Sequence, residues 1–164
     1  MPNITPIHVA SDFERRYPEA SGRATECAMN LAFTADLMFG EISRLLRPFD
    51  LTPASGLVLS NLAESREPLA PREIAYRLIV SRATTTGLVD SLERRGYVRR
   101  LPHPHDRRML LVEITESGRR VADEFRPVVH RQQRPWFQSL EEDDKQSLIV
   151  YLRRIQDSLS SLED

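Results

Sequence analysis

The sequence predicts a mainly α-helical fold with one small β-hairpin, and three observations carry that expectation. Apolar residues recur at helical spacing over most of the chain, one short stretch alternates with period two, and helix-starting and helix-stopping residues stand at the boundaries. The 164 residues fit one ordinary domain, or a small domain with added helices. With 40% hydrophobic residues there is material for a core, and with 29% charged residues there is material for a solvated surface.

Taken in order, residues 1–22 carry prolines at 2, 6 and 18 and read as an irregular N-terminal arm. From Ala24 to Leu46 the apolar positions 24, 27, 28, 31, 32, 35, 38, 39, 42, 45 and 46 hold a helical stripe that Pro48 ends. Thr52-Pro53 is a cap with proline at the first helical position, opening a short helix to about Ala63. ESREPLAP is a turn-rich connector. Pro71 opens another short helix with Ile74, Ala75 and Leu78 inside; its cap position, Ala70, has no side-chain acceptor, so this start is the weaker one.

Ser81 caps a helix from Arg82 to Arg95 whose inner face is Thr85, Leu88, Val89 and Leu92, and Gly96 stops it. Two short helices joined by a tight turn make a helix-turn-helix pattern. Tyr97–Leu101 and Met109–Ile114 then alternate, with Val98 and Arg100 on one face and Tyr97, Arg99 and Leu101 on the other. That hairpin, with PHPHDRR at its tip, is a wing. Thr115 caps a long helix with Val121, Ala122, Phe125, Val128, Val129 and Trp136 inside, and Pro127 is expected to kink it. Leu148, Leu152, Ile155, Leu159 and Leu162 form a short heptad seam suited to helix-on-helix packing.

Charge narrows the function. The formal net charge is −1, but residues 71–108 hold nine arginines against four acids, +5, which leaves −6 for the rest. A basic centre between acidic arms points to one cationic face aimed at a polyanion. No apolar run approaches the roughly 18 residues of a membrane helix, and the first residues, MPNITPIHVASDF, lack the basic start and apolar centre of a secretory signal. A cytoplasmic setting without a membrane partner is the expectation. Cys27, the only cysteine, excludes an internal disulfide and a Cys-rich zinc site.

The order of elements and three stretches, SRATTTGLVDSLERRGYVRR at 81–100, DRRMLLVEIT at 106–115 and TESG at 115–118, resemble the MarR (multiple antibiotic resistance regulator) family of winged helix-turn-helix transcription factors. The wing pattern is met by Asp106, Arg108, Ile114 and Thr115. The resemblance spans roughly residues 24–162 and implies a repressor that is not an enzyme, with no catalytic residues, resident metal or cofactor. It departs from the family at Gly87, where a basic residue is frequent, and at Ala70, where a capping residue is usual.

On that reading the chain divides into an arm at 1–22, a helical dimerisation region at 23–50 and 116–164, and a winged helix-turn-helix DNA-binding lobe at 51–115. The recognition helix 82–95 enters the major groove of double-stranded DNA and the wing 97–114 the minor groove. Arg82 can bond bidentately to guanine, and Thr84 and Thr86 can offer hydroxyls to phosphate and methyls to thymine. Ser81 and the helix N-terminus suit a phosphate. By resemblance Arg108 enters the minor groove with Asp106 bracing it, and a narrow electronegative groove does attract an inserted arginine. Arg94, Arg95, Arg99, Arg100 and Arg107 are further phosphate contacts; for Arg94 and Arg95 a plain solvated role is as good, because helix C-termini favour cations.

The long stripe and the heptad expose more apolar surface than one small winged-helix core covers. A two-fold homodimer follows, with Leu148, Leu152, Ile155 and Leu159 in the interface, and with it a pseudo-palindromic operator of half-sites about 34–36 Å apart. Family members commonly bind small aromatic molecules between the dimer helices and the DNA-binding lobe. The resemblance therefore implies an effector cleft lined by Met38, Phe39, Ile42, Phe49 and Phe125, although each residue also suits plain core. One branch of the family senses peroxide through a cysteine on its first helix, which makes Cys27 a rival sensor; its place on the apolar stripe predicts a buried structural residue instead. A metal site at His103, His105 and Asp106 lacks enough ligands, and a winged helix used only for protein contact sits poorly with the +5 segment.

Overall fold

A computed structural model describes residues 5–78, 81–106 and 109–161, with backbone alone at Arg82. It contains α1 (Phe13–Arg16), α2 (Gly22–Leu46), a 3-10 turn (Arg47–Phe49), α3 (Pro53–Glu64), α4 (Pro71–Leu78), α5 (Arg82–Arg94), β1 (Val98–Pro102), β2 (Leu110–Ile114), α6 (Glu116–Trp136) and α7 (Glu142–Ser160). The predicted mainly helical class with one hairpin holds. The chain forms two compact units, residues 1–122 and 123–164.

In the first unit the expected caps are in place. Thr52 Oγ1 accepts the Ser55 N–H at 3.1 Å while Ser55 Oγ accepts the Thr52 N–H at 2.9 Å, a reciprocal capping box. At the start of α4, Ala70 supplies no acceptor, as read. The other half of a capping box is present: the Glu73 carboxylate accepts the Ala70 N–H at 2.9 Å and lies in the first turn, where a negative charge suits the helix dipole. Ser81 Oγ accepts the Thr84 N–H at 3.1 Å and caps α5. Gly96, at φ +72°, ends α5 in a Schellman motif: the Tyr97 N–H reaches the Leu92 carbonyl at 3.0 Å and the Gly96 N–H the Glu93 carbonyl at 2.9 Å.

The core of this unit collects Leu46, Val58, Leu59, Leu62, Ile74, Val89, Leu92, Val98, Val112 and Ala122, all buried. Helix α5 packs on α3, α4 and β1, and α3 also meets β2. The antiparallel hairpin pairs Val98 with Ile114, Arg100 with Val112 and Pro102 with Leu110. A third, single-residue rung was not anticipated. Leu69, in the connector read only as turn-rich, exchanges hydrogen bonds with Val112 at 2.9 and 2.8 Å. It ties the wing to the entrance of α4.

The N-terminal arm is not irregular throughout. Asp12 precedes the short α1, and residues 7–9 lie on the first turns of α2. Asn30 accepts the Ile7 N–H at 2.9 Å and donates to the Ile7 carbonyl at 2.8 Å, and Glu26 accepts the Val9 N–H at 3.1 Å. Side chains of α2 that pair with backbone groups fix this segment, a feature that hydrophobic periodicity does not record.

Thr115 opens α6, as expected. Its Oγ1 accepts the Gly118 N–H at 3.0 Å and donates to the Gly96 carbonyl at 2.7 Å. A side chain on Gly118 would set its Cβ 2.1 Å from the Tyr97 carbonyl oxygen. In the second unit α6 continues as one α-helix through Pro127 and Pro135, with Phe125 buried. Helix α7 starts with Glu142, Asp143 and Asp144 in its first turn, placed favourably for the dipole. Leu148 and Leu152 are half-buried, and Ile155 and Leu159 are exposed. Leu162 lies outside the described residues. Among the described residues no helix is long and apolar enough to cross a membrane.

Candidate nucleic-acid interface

Helix α5 has two chemically distinct faces. Thr85, Val89 and Leu92 are fully buried, and Thr85 Oγ1 donates to the Ser81 carbonyl at 3.1 Å, so its hydroxyl is satisfied within the core, as expected for that position. The opposite face exposes Ala83, Thr84, Thr86 and Gly87. Thr84 Oγ1 lies 2.8 Å from Ser81 Oγ, so those two hydroxyls form a pair at the helix N-terminus. The side chain of Arg82 lies outside the described residues. A Cβ on Gly87 would meet nothing within 4 Å, so the position where the resemblance leads to the expectation of a basic residue is open surface here.

The candidate phosphate-binding arginines separate once their partners are known. Arg94 is exposed at the end of α5. Arg95 pairs with Asp50 at 3.1 Å, and Asp50 holds a left-handed backbone conformation at φ 53° after the 3-10 turn. Arg99 is exposed and bonds Glu113 at 2.5 Å across the hairpin, directly opposite it in register. Arg100, also expected among the DNA contacts, has carboxylate partners of its own. Its guanidinium turns inward, bonding Asp90 at 2.5 Å and pairing with Glu93, while Glu93 also accepts the Arg100 backbone N–H at 3.1 Å. Burial works against the charge on Arg100, but the two carboxylates outweigh it and raise its pKa. The alternation had put Arg100 on the same face as buried Val98, which was the available signal. The effect is a clamp between β1 and α5.

At the wing tip, the ring of His103 turns back on its own loop. Its Nδ1 accepts backbone N–H groups from His105 at 3.2 Å and Asp106 at 3.1 Å. The Asp106 carbonyl accepts the Met109 N–H at 3.0 Å. Arg107 and Arg108, and with them the bracing of Arg108 by Asp106, lie outside the described residues. Among the described residues no three His, Cys, Asp or Glu side chains converge as a metal site would require.

Cys27 corrects a second reading: it is exposed on the protomer, not buried. Leu31 and Phe39 of the same stripe are also exposed, as are Met29, Phe33 and Leu37 elsewhere on α2. Of the residues read as an effector cleft, Met38, Ile42 and Phe49 are half-buried and Phe39 is exposed in the first unit, while Phe125 is buried in the second. A hollow of about 490 Å³ has another lining, between the connector, α4 and the wing, and includes Arg66, Glu67, Glu73, Arg77 and His103.

Comparison with known proteins bears on this arrangement. A MarR-family model matches residues 49–109, from the turn before α3 to the wing tip. The match falls on the two helices of the helix-turn-helix and the first strand of the hairpin. Among curated relatives, the HTH-type transcriptional repressor YetL of Bacillus subtilis (strain 168) is 31% identical over 96 residues, covering 58% of this chain and 58% of YetL. The chain thus spans little more than half the length of that relative. Among solved structures, CouR from Rhodococcus jostii RHA1 bound to p-coumaroyl-CoA is 26% identical with a TM-score of 0.69, covering 87% of this chain and 95% of CouR. The Staphylococcus aureus MepR–DNA complex has a TM-score of 0.75 at 21% identity, over 80% of this chain and 96% of MepR, and supports the MarR winged-helix fold.

Proposed function

We propose that this MarR-type chain is a homodimeric, sequence-specific DNA-binding transcriptional repressor. The observation that carries the reading is α5. Its inner face is locked into the core and its N-terminal half presents Thr84, Thr86 and Gly87 to solvent. A wing is clamped beside it through Arg100. Such a helix suits the major groove, with base-edge contacts from its first turn and phosphate contacts at its cap. Likeness to the named repressor YetL and to the fold of MepR, solved with DNA, supports the same reading. Arg82, Arg107 and Arg108 enter as proposed contacts on sequence grounds, and Arg94 and Arg99 as exposed cations.

The dimer is supported by apolar residues that one protomer leaves open on α2 and on α7, Ile149, Ile155 and Leu159 among the latter. A small aromatic effector remains part of the proposal, supported by CouR, whose structure holds p-coumaroyl-CoA. Such a ligand acts only if it binds one arrangement of the DNA-binding lobes better than another, a coupling of typically about 1–3 kcal/mol.

Selection of bound duplexes from a random pool tests the proposal. Arg108→Ala is expected to weaken binding to all duplexes, whereas Arg82→Ala also relaxes base preference, each base contact being worth about 1–3 kcal/mol. Equal binding of selected and random duplex at physiological salt by the wild type contradicts it. The exposure of Cys27 favours one second reading, a redox-sensing regulator. In that case peroxide releases DNA from the wild type and leaves Cys27→Ser bound.

A further inference from the structure

The hairpin tip has a fastening that the DNA-binding reading does not use. His103 Nδ1 accepts two backbone N–H groups, from His105 at 3.2 Å and from Asp106 at 3.1 Å. The backbone N–H of His103 donates to the Met109 carbonyl at 3.0 Å, which anchors the same residue to the returning strand. Thus the ring holds the loop from inside, as an asparagine or aspartate oxygen holds an Asx turn. An imidazole does this only with a lone pair on Nδ1, so the ring is neutral with its proton on Nε2. An imidazolium donates from both nitrogens and accepts from neither. Protonation would therefore leave the two N–H groups without their acceptor. The loop so held leads directly into Arg107-Arg108.

We propose that His103 is a positioning residue for DNA binding: its neutral ring pre-organises the wing tip, and proton uptake releases the tip and weakens wing-dependent affinity. The inference rests on the DNA-binding reading for its functional half and on the tip geometry for its structural half. The charged neighbours are Arg66 and Glu67 of the connector and Glu73 and Arg77 of α4, which share a hollow with His103, together with His105 and Asp106 on the tip itself. Glu73 is already engaged by the Ala70 N–H. All six remain in a variant at position 103, so a comparison between variants cancels their titration. The expected sign is also opposite to simple electrostatics. An added positive charge near phosphate strengthens binding, whereas loss of the fastening weakens it.

The test compares wild type, His103→Asn and His103→Ala in the full chain. Affinity for a duplex recovered by selection is measured at fixed salt from about pH 8 to about pH 5.5, the range across which imidazoles titrate. Asparagine offers an oxygen where Nδ1 stood and does not titrate. At the upper pH, wild type and His103→Asn should bind alike and His103→Ala roughly three- to tenfold more weakly, the worth of one or two net hydrogen bonds. On acidification the wild type should fall toward His103→Ala while His103→Asn keeps its lead. Protection of the His105 and Asp106 amides in the DNA-free protein, taken relative to the intrinsic exchange rate at each pH, should fall in the same pattern. Parallel pH profiles for all three proteins, a relative gain by the wild type in acid, or a His103→Asn as weak as His103→Ala overturns the assignment. If the wild type binds no duplex selectively while the exchange pattern appears, the DNA-binding reading fails and the tip fastening stands.

Discussion

Gly118 shows how much one missing methyl group decides. The Tyr97 carbonyl oxygen occupies the place its Cβ would take, 2.1 Å away, and that carbonyl already accepts the Thr115 N–H at 3.0 Å. Backbone has little room to yield, so Gly118→Ala should cost about 3 kcal/mol or more, seen as a lowered midpoint in urea unfolding. A change below about 1 kcal/mol would show that the joint between the wing and α6 is not tight. Gly87 is the opposite case, a helix-interior glycine facing open space. Gly87→Ala should raise stability by about 0.5–1 kcal/mol in the same assay. Gly87→Arg should tighten binding to random and selected duplex alike, because it adds a phosphate-seeking charge without evident strain.

At the scale of elements, the contacts that matter join pieces distant in sequence. The Arg100 clamp holds the wing to α5 through Asp90 and Glu93. Because the pKa of Arg100 is raised, its contribution is present at neutral pH and is lost on the alkaline side as pH rises through that raised value. Arg100→Ala should lower stability by about 1 kcal/mol, a figure discounted for partial exposure, and should reduce DNA affinity without changing base preference. A change in base preference would indicate direct base contact. The N-terminal segment responds differently to pH. The Val9 N–H, opposed by partial burial and assisted by Arg23 and His8, holds the Glu26 carboxyl below the usual glutamate range. Such a group stabilises above the ordinary value of about 4.3 and loses that contribution as pH falls through its lower folded value. Protection of the Val9 amide, taken relative to the intrinsic exchange rate at each pH, should therefore fall as the Glu26 carboxyl is protonated. Asn30→Ala should free the Ile7 amide at neutral pH and leave the unfolding of the winged lobe nearly unchanged.

At the scale of the whole molecule, the single chain leaves apolar residues exposed on α2 and α7. If a second copy covers them, a buried charge there is costly. Ile155→Glu and Leu159→Glu should then shift sedimentation from dimer to monomer, and operator binding should become steeply dependent on protein concentration. Unchanged sedimentation for the double variant would place the interface elsewhere.

Much of this was legible before any coordinates: the helix order, the caps at Thr52, Ser81 and Thr115, the stop at Gly96, the buried face of α5 and the alternating hairpin. Each depends on residues within a few positions of one another, where backbone geometry turns spacing directly into faces and ends. The sequence by itself therefore determined the elements from α2 onward and their winged-helix order. Tertiary structure alone decided that Arg100 turns inward, that Leu69 adds a rung to the wing, that residues 7–9 bond to α2 and that Cys27 is exposed on the protomer. Those outcomes hang on partners 7 to 43 positions away, and on what covers a face, and local periodicity carries no record of either.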